Sequence, residues 1–442
     1  MRFKKLLSIL LVGMMVFSLV ACGQNGEPAN NNRAESNSSD NNSEAGEGKV
    51  EELSGTIVVW SWDVALKSLQ VAAENFKKEH PKVDFQFEDM GNSQIYDKML
   101  TGLASGTGLP DVVSLEGDAV PLYSAKFPNG FVDLTDVVKE EHFLPVKMAE
   151  VTSNGKVVAF PWDAAPCGLF YRTDLFEQAG VKAEDIKTWD DYIEAGKKLD
   201  KIGVKMLPLA VSKNDTVFRI ILNQLGAFYF DGEGKTVLDN EATIKAMSIV
   251  KKMYDANITY DNVNWDGLVT CTKESKVATV VNAVWWAGTL QDECDNLDGK
   301  WAVMKLPLVE EGGKTGAVNG GSNIVVPAAS ENKEAAVEFV KFAMTDKESI
   351  IKGFSDYGLY PSYIPSYSDP IFDAEVEYFK GQRIWKLFTE AGKEIPRLNF
   401  TENFSEVNDL VVDAQARITL KGADVEPTMK ELQKNVVNKI GK

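Results

Sequence analysis

Histidine is almost missing from this chain: His80 and His142 are the only two in 442 residues. His80 sits at a KKEHP helix end and His142 in a charged EEH segment, both surface contexts. That leaves little for a zinc centre or a Ser-His triad, so neither a metal nor a cofactor is expected. Cysteine is scarce as well, at four residues. Apart from Cys22 they are Cys167, Cys271 and Cys294, an odd set in which at least one thiol is free or pairs between chains. Cys271 with Cys294 is a candidate bridge that spacing alone does not establish, and none of the three reads as catalytic. Positive charge is in deficit, with 47 Lys and Arg against 65 Asp and Glu and a net charge of −18. Such a chain repels phosphate backbones, which excludes nucleic acid as a partner. The glycines from Gly102 to Gly108 lack the G-K-[ST] ending of a phosphate loop, and no GxGxxG follows the first strand, so no nucleotide site is expected. Internal repeats are absent, which counts against a repetitive surface adhesin.

What is present is ordinary globular composition, 44% hydrophobic and 25% charged, at a length that favours two or more domains. One long apolar run occurs, Leu6 to Val20, behind Arg2, Lys4 and Lys5. It is shorter than a spanning helix requires and reads as a secretory signal. It ends in Leu19-Val20-Ala21-Cys22, which resembles a bacterial lipobox, where the signal is cut before a cysteine that receives lipid. The alternative is an ordinary signal with a chance cysteine. Residues 1–21 are therefore expected to be a signal peptide, and 22–52 a lipidated Cys22 with a disordered tether of Asn, Ser, Gly and Glu. Some 30 such residues reach roughly 30 Å on average. Membrane association is expected through the lipid alone, placing the folded body outside the cell membrane.

The folded body opens with Thr56-Ile57-Val58-Val59-Trp60, a near-continuous apolar run of the kind found in strands covered on both faces. A helix with Leu66, Leu69, Ala73 and Phe76 on one face follows, then the alternating strand Val83 to Phe87. This β-α-β unit predicts an open, largely parallel sheet. A second helix leads into the strand Asp111 to Leu115. Ligands of open α/β sheets bind beyond the carboxyl ends of strands, and Trp62, Asp63, Glu116 and Asp118 all fall there. Each of these acids reads equally as a solvated loop or helix cap.

The stretch Lys156 to Gly180 joins two strand-like runs, Val157 to Phe160 and Gly168 to Tyr171, at a joint where Pro161 is expected to stop ladder pairing. The joint carries Trp162 and Asp163. A flat apolar ring beside a carboxylate acceptor suits a sugar, with its apolar C–H faces and rim of hydroxyls; a buried Trp with a turn Asp fits the same pattern. Asp174 is expected to N-cap a helix ended by Gly180, and Thr188-Trp189-Asp190-Asp191 opens a helix as a capping box. Trp285 and Trp286 end a strand, where at least one is buried or covers a ligand. Gly320, Gly321 and Ser322 let backbone N–H groups approach a ligand closely, or form a plain turn. Ser330 is expected to cap the next helix.

Taken in order, the lipobox, VVWSW, GLPDVVSLEGD, GKVVAFPWD with GLFYRTDLFEQAGV, TWDDY, VNAVWWAG, NGGSNIVV and GLYPS resemble the carbohydrate-type extracellular solute-binding proteins of ABC importers, the group that includes maltose-binding protein. The resemblance covers essentially the whole body after the tether. It implies an α/β fold of two periplasmic-binding-protein-like lobes with open, mostly parallel sheets and three interlobe crossings, near Phe160–Ala165, Gly316–Ser322 and Tyr357–Pro361. The lobes would be 53–161 with 320–357, and 162–319 with 358–442. It assigns ligand contacts to Trp62, Asp63, Glu116, Asp118, Trp162, Asp163, Trp285 or Trp286, Gly320, Gly321, Ser322 and Tyr360, with Phe400 or Phe404 as a further aromatic. The chain departs from maltose-binding protein at Ala165, where that protein has a glutamate, and near Asp63, where it has a lysine.

The function so implied is capture of a sugar or oligosaccharide by lobe closure, without covalent chemistry, and delivery to the permease subunits of an ABC transporter by a monomer. The alternatives are the same fold holding a polyamine or a phosphorylated polyol, and an exported glycoside hydrolase using two carboxylates. A phosphate would want clustered basic residues, and only Arg172 lies near the crossings.

Overall fold

The first apolar run forms strand β1 (Gly55–Ser61), and the strand after it forms β2 (Val83–Asp89). A computed structural model describes residues 52–262 and 264–441. The signal, Cys22 and nearly all of the tether lie outside the described residues. Between β1 and β2 runs the helix Asp63–Glu79, which buries Leu66, Leu69, Ala73 and Phe76 on one face. The two strands pair in parallel from Gly55↔Val83 to Ser61↔Asp89, and β1 pairs in parallel with β3 (Val112–Glu116). A helix–strand alternation packs this way because the helix must cover the apolar face of the sheet it crosses.

A short hairpin, β4 (Thr152–Ser153) and β5 (Lys156–Val157), precedes β6 (Phe160–Pro161). The run from Val157 to Phe160 is thus broken in two, although all four residues are buried. Pro161 does not stop pairing. It sits in register with Asn323, and β6 is the last strand of the first sheet, where a missing N–H removes no ladder bond on the open side. The second sheet is built on β7 (Cys167–Arg172). A third, small sheet pairs β8 (Leu207–Pro208) with β9 (Thr259–Tyr260) in parallel. In the second sheet β7 is flanked antiparallel by β10 (Thr279–Ala283) and β11 (Trp301–Met304). The chain then returns to the first sheet as β12 (Ser322–Val325), antiparallel to β3 and β6, giving the order β2-β1-β3-β12-β6.

Two caps differ from expectation. Arg172 holds the N-cap of the helix Thr173–Ala179, while Asp174 lies in its first turn and grips the Arg172 guanidinium at 2.8 and 2.7 Å. Asn332 holds the N-cap of Lys333–Thr345, and Ser330 instead donates its hydroxyl to buried Asp111. The capping box at Thr188 forms with Asp191 as its reciprocal partner. Cys167, Cys271 and Cys294 are all free and buried.

One hydrophobic core packs around the first sheet, from Ile57 to Trp162 and again from Ile324 to Leu359. Two others pack around the second, one including Trp189, Tyr192 and Phe218, the other Trp286, Trp301 and Phe388. Three stretches carry the chain between the sheets: β6 into β7, β11 into β12, and the segment after the helix Lys347–Tyr357. They lie side by side. Ala164 N donates to Tyr360 O at 2.7 Å, Ser362 N to Trp162 O at 2.8 Å, and Cys167 N to Ala317 O at 2.9 Å. This is a two-lobe α/β architecture with a three-stretch joint. Among the described residues no helix is long and apolar enough to cross a membrane.

Candidate functional site

Beside the joint lies a cavity of about 270 Å3. On the first-sheet side its wall is acidic. The turn at the end of β3 contributes Glu116, Gly117 and Asp118, and the helix Pro145–Val151 contributes Glu150. On the second-sheet side the wall is aromatic and amide-bearing: Phe228, Trp285, Phe400 and Phe404, with Asn223, Asn408 and Arg219. Val318, Asn319 and Gly320, from the crossing that leads to β12, close the joint end.

The aromatic wall is held rigidly. Phe228, Phe400 and Phe404 form a mutual cluster with ring centroids 4.9, 5.7 and 4.9 Å apart. Trp285 donates its Nε1–H to Asn319 O at 3.0 Å, which fixes the indole against the crossing. Arg219 Nε donates to Asp215 Oδ1 at 2.8 Å, and its guanidinium lies 5.8 Å from the Phe404 ring.

The acidic wall depends on two glycines. A side chain at Gly117 would stand 2.3 Å from the Glu150 carboxylate, so its absence lets Glu150 reach the cavity beneath the turn. Gly321, at φ 101°, has the Asp163 carbonyl 2.8 Å from where a Cβ would stand. Glu150 is paired with Lys147 one turn earlier, both essentially inaccessible, and also accepts from Asn323 Nδ2 at 3.0 Å. Asp163 accepts the Ser322 N–H at 2.6 Å. A buried ionic network therefore links the cavity wall to two of the three crossings.

Burial, reinforced by the Asp118 charge, lifts Glu116 to about 7, against the relief of a hydrogen bond from Tyr96 Oη at 2.9 Å. Burial raises Asp118, Glu150 and Asp163 too, the last to about 6, with Lys147 pulling the other way. The folded chain therefore keeps protons on these groups that the unfolded chain has already released between roughly pH 4 and 7, and stability falls as pH rises through that window. Exposed carboxylates held below their usual range, such as Asp133 at about 2, lose their contribution only under more acidic conditions. Thermal melts in a buffer series should peak at about pH 4, near the unfolded carboxyl values, and decline toward pH 8. A melting temperature that climbs steadily from pH 5 to 7.5 would contradict this.

Of the residues singled out from the sequence, the structure brings Glu116, Asp118, Trp285 and Gly320 together around the cavity. Trp62 is half-buried against the first core, and Asp63 is exposed, its N–H donating to Asp89 at 3.2 Å. Trp162, only 8% exposed, packs into the first core. Asp163 is buried in the joint, and Ser322 has its N–H engaged by that carboxylate. Gly321 directs its carbonyl to Gly117 N at 3.2 Å. Trp286 is fully enclosed in the core around Phe388, and Tyr360 is buried with its hydroxyl 2.6 Å from Thr389 Oγ1. Phe400 and Phe404 both line the cavity. The basic group at the cavity is Arg219 and not Arg172, whose guanidinium is taken by Asp174 and Ser275. Glu150, Asn223, Phe228 and Asn408 were not singled out. Their signals are weak: Phe228 sits in an apolar FYF run, and Glu150 stands three residues after Lys147, the spacing of an ordinary exposed helical pair. Among the described residues no group of three or more His, Cys, Asp or Glu side chains could hold a metal ion.

A cavity lined from both α/β lobes beside a three-stretch joint is the arrangement of two-lobe solute-binding folds. The chain belongs to the bacterial extracellular solute-binding protein family, whose model matches residues 61–349. It is 30% identical over 400 residues to a lactose-binding protein of Rhizobium radiobacter, covering 88% of this chain and 94% of that one. It is 25% identical over 433 residues to an arabinooligosaccharide-binding protein of Bacillus subtilis, covering 92% and 93%. Among solved structures, the GacH receptor of Streptomyces glaucescens superposes with a TM-score of 0.75 at 22% identity, over 88% of this chain and 98% of that one. A binding protein from B. animalis subsp. lactis, solved with β-1,6-galactobiose, gives a TM-score of 0.74 at 24% identity, over 87% and 97%.

Proposed function

We propose that this protein captures a sugar or short oligosaccharide in the cavity between its lobes and hands it to the permease subunits of an ABC importer. The observation that carries the reading is the pairing of an aromatic wall with an acceptor wall around one cavity. Ring faces cover the apolar C–H side of a sugar, while Glu116 and Asp118 accept from hydroxyls and Asn223, Asn408 and Arg219 donate to ring and glycosidic oxygens. Relatives named for lactose and arabinooligosaccharides support the same class. Closure would bring 53–161 with 320–357 against 162–319 with 358–442, because a ligand touches both walls only when the lobes are together. Lipidation at Cys22 would tether the body to the outer face of the cell membrane, where it works as a monomer.

Hydrolysis is disfavoured by the distribution of acids. A glycosidase flanks the scissile bond with two carboxylates, whereas all three acids lining this cavity belong to the first-sheet side. A phosphorylated ligand is disfavoured because Arg219 is the single cation among the lining residues, against the three acids Glu116, Asp118 and Glu150. Calorimetric titration with lactose, arabinobiose, maltose and β-1,6-galactobiose should give saturable binding by at least one, with no released monosaccharide. Absence of binding across that panel and across longer oligosaccharides would remove the sugar reading.

A further inference from the structure

Five large apolar side chains stand exposed among the described residues, and Trp265 is the one aromatic in the set, at 50%. It opens the helix Trp265–Lys273, whose N-cap Asn264 accepts the Gly267 N–H at 2.9 Å and so holds the first turn in place. The indole is not adrift in solvent. Its ring centroid lies 5.9 Å from Trp285, tilted by 39°, and 5.6 Å edge-on from the fully buried Trp286. Two tryptophans thus fix one side of Trp265, while about half its surface stays open. An exposed ring that adjoins other apolar surface extends a patch of the kind that marks ligand-binding grooves. Here it continues the aromatic surface that begins inside the cavity at Trp285.

We propose that Trp265 is a second ring-stacking subsite, outside the cavity and contiguous with Trp285, which takes a further ring of an oligosaccharide whose first ring lies against Trp285. The inference rests on the sugar-binding reading and adds a length preference to it. The cavity holds the terminal part of the ligand through polar contacts on both walls. Among the described residues the Trp265 indole makes ring contacts alone, so a stack on it selects for chain length and tolerates variation in ring identity.

The test is calorimetric titration of wild-type, Trp265→Ala and Trp265→Phe proteins with ladders of galacto-oligosaccharides and arabino-oligosaccharides of one to four rings. Wild-type affinity should rise as rings are added beyond the shortest ligand bound. Trp265→Ala should lose about tenfold on the longer members, as expected for one aromatic stack, and less than twofold on the shortest. Trp265→Phe should recover most of the loss, which separates stacking from a folding defect. Equal losses at every length, or none at any, would overturn the subsite while leaving sugar binding intact. A wild-type protein that binds no member of either ladder would overturn the underlying reading together with this one.

Discussion

Lys147→Met should destabilise the folded protein by roughly 3–5 kcal/mol, because it leaves a buried carboxylate without its cation. Lys147 is wholly inaccessible and Glu150 is 3% exposed, so water cannot replace the lost partner. The Glu150 carboxyl is already raised by burial despite Lys147, and removing that attraction raises it further. At a pH below the ordinary carboxyl range Glu150 is protonated in both states and the charge penalty vanishes. Above it the unfolded chain ionises Glu150 while the folded chain resists, so the cost grows with pH. Urea unfolding followed by tryptophan fluorescence at pH 5 and pH 8 would show the larger loss at pH 8. The double change Lys147→Met with Glu150→Gln should recover much of it, since a neutral pair carries no uncompensated charge. A loss under about 1 kcal/mol at both pH values would mean the pair is solvated and not part of the buried network.

Trp285→Ala should weaken sugar binding by about 30- to 100-fold, on the order of 2–3 kcal/mol, the range of a central aromatic contact. Its effect on folding should be smaller, because Trp285 is only partly buried and its one hydrogen bond goes to a backbone carbonyl. Trp286→Ala should behave in the opposite sense. That indole is fully enclosed, so its loss opens a cavity costing about 3–5 kcal/mol of stability. Affinity per folded molecule should change less than in Trp285→Ala. Trp285→Phe keeps an aromatic face without the Nε1–H, and comparison with Trp285→Ala separates stacking from the anchor to Asn319. Thermal melts run beside the titrations check both halves of the contrast. Similar affinity losses in Trp285→Ala and Trp286→Ala would contradict the assignment of Trp285 to the ligand face.

The parts legible in the sequence are those set by local pattern. The β-α-β start was readable because β1 carries the unbroken apolar run Ile57 to Trp60 and the helix after it repeats Leu66, Leu69, Ala73 and Phe76 at helical spacing. The box at Thr188 was readable because its two partners are three residues apart. Composition could not tell Trp162 from Trp285. Both stand just past a strand end, Trp162 directly after Phe160–Pro161 and Trp285 two residues beyond Thr279–Ala283, and only packing decides that one enters the first core and the other faces the cavity. Phe228 and Phe404 meet across a long sequence separation, so no window of the chain contains both. Lys147 and Glu150 fell one turn apart in a short helix, a spacing that normally marks a solvated face. Their burial follows from Gly117 and Gly321, whose missing side chains leave room for the two charges against the joint.

The most direct test is a crystal structure of the protein with the oligosaccharide that titration finds tightest. The two-wall account predicts a sugar ring in van der Waals contact with Trp285, with ring hydroxyls within hydrogen-bond reach of Asp118 or Glu116. Sugar density away from this cavity, or sugar touching one wall only with the lobes closed, would contradict it.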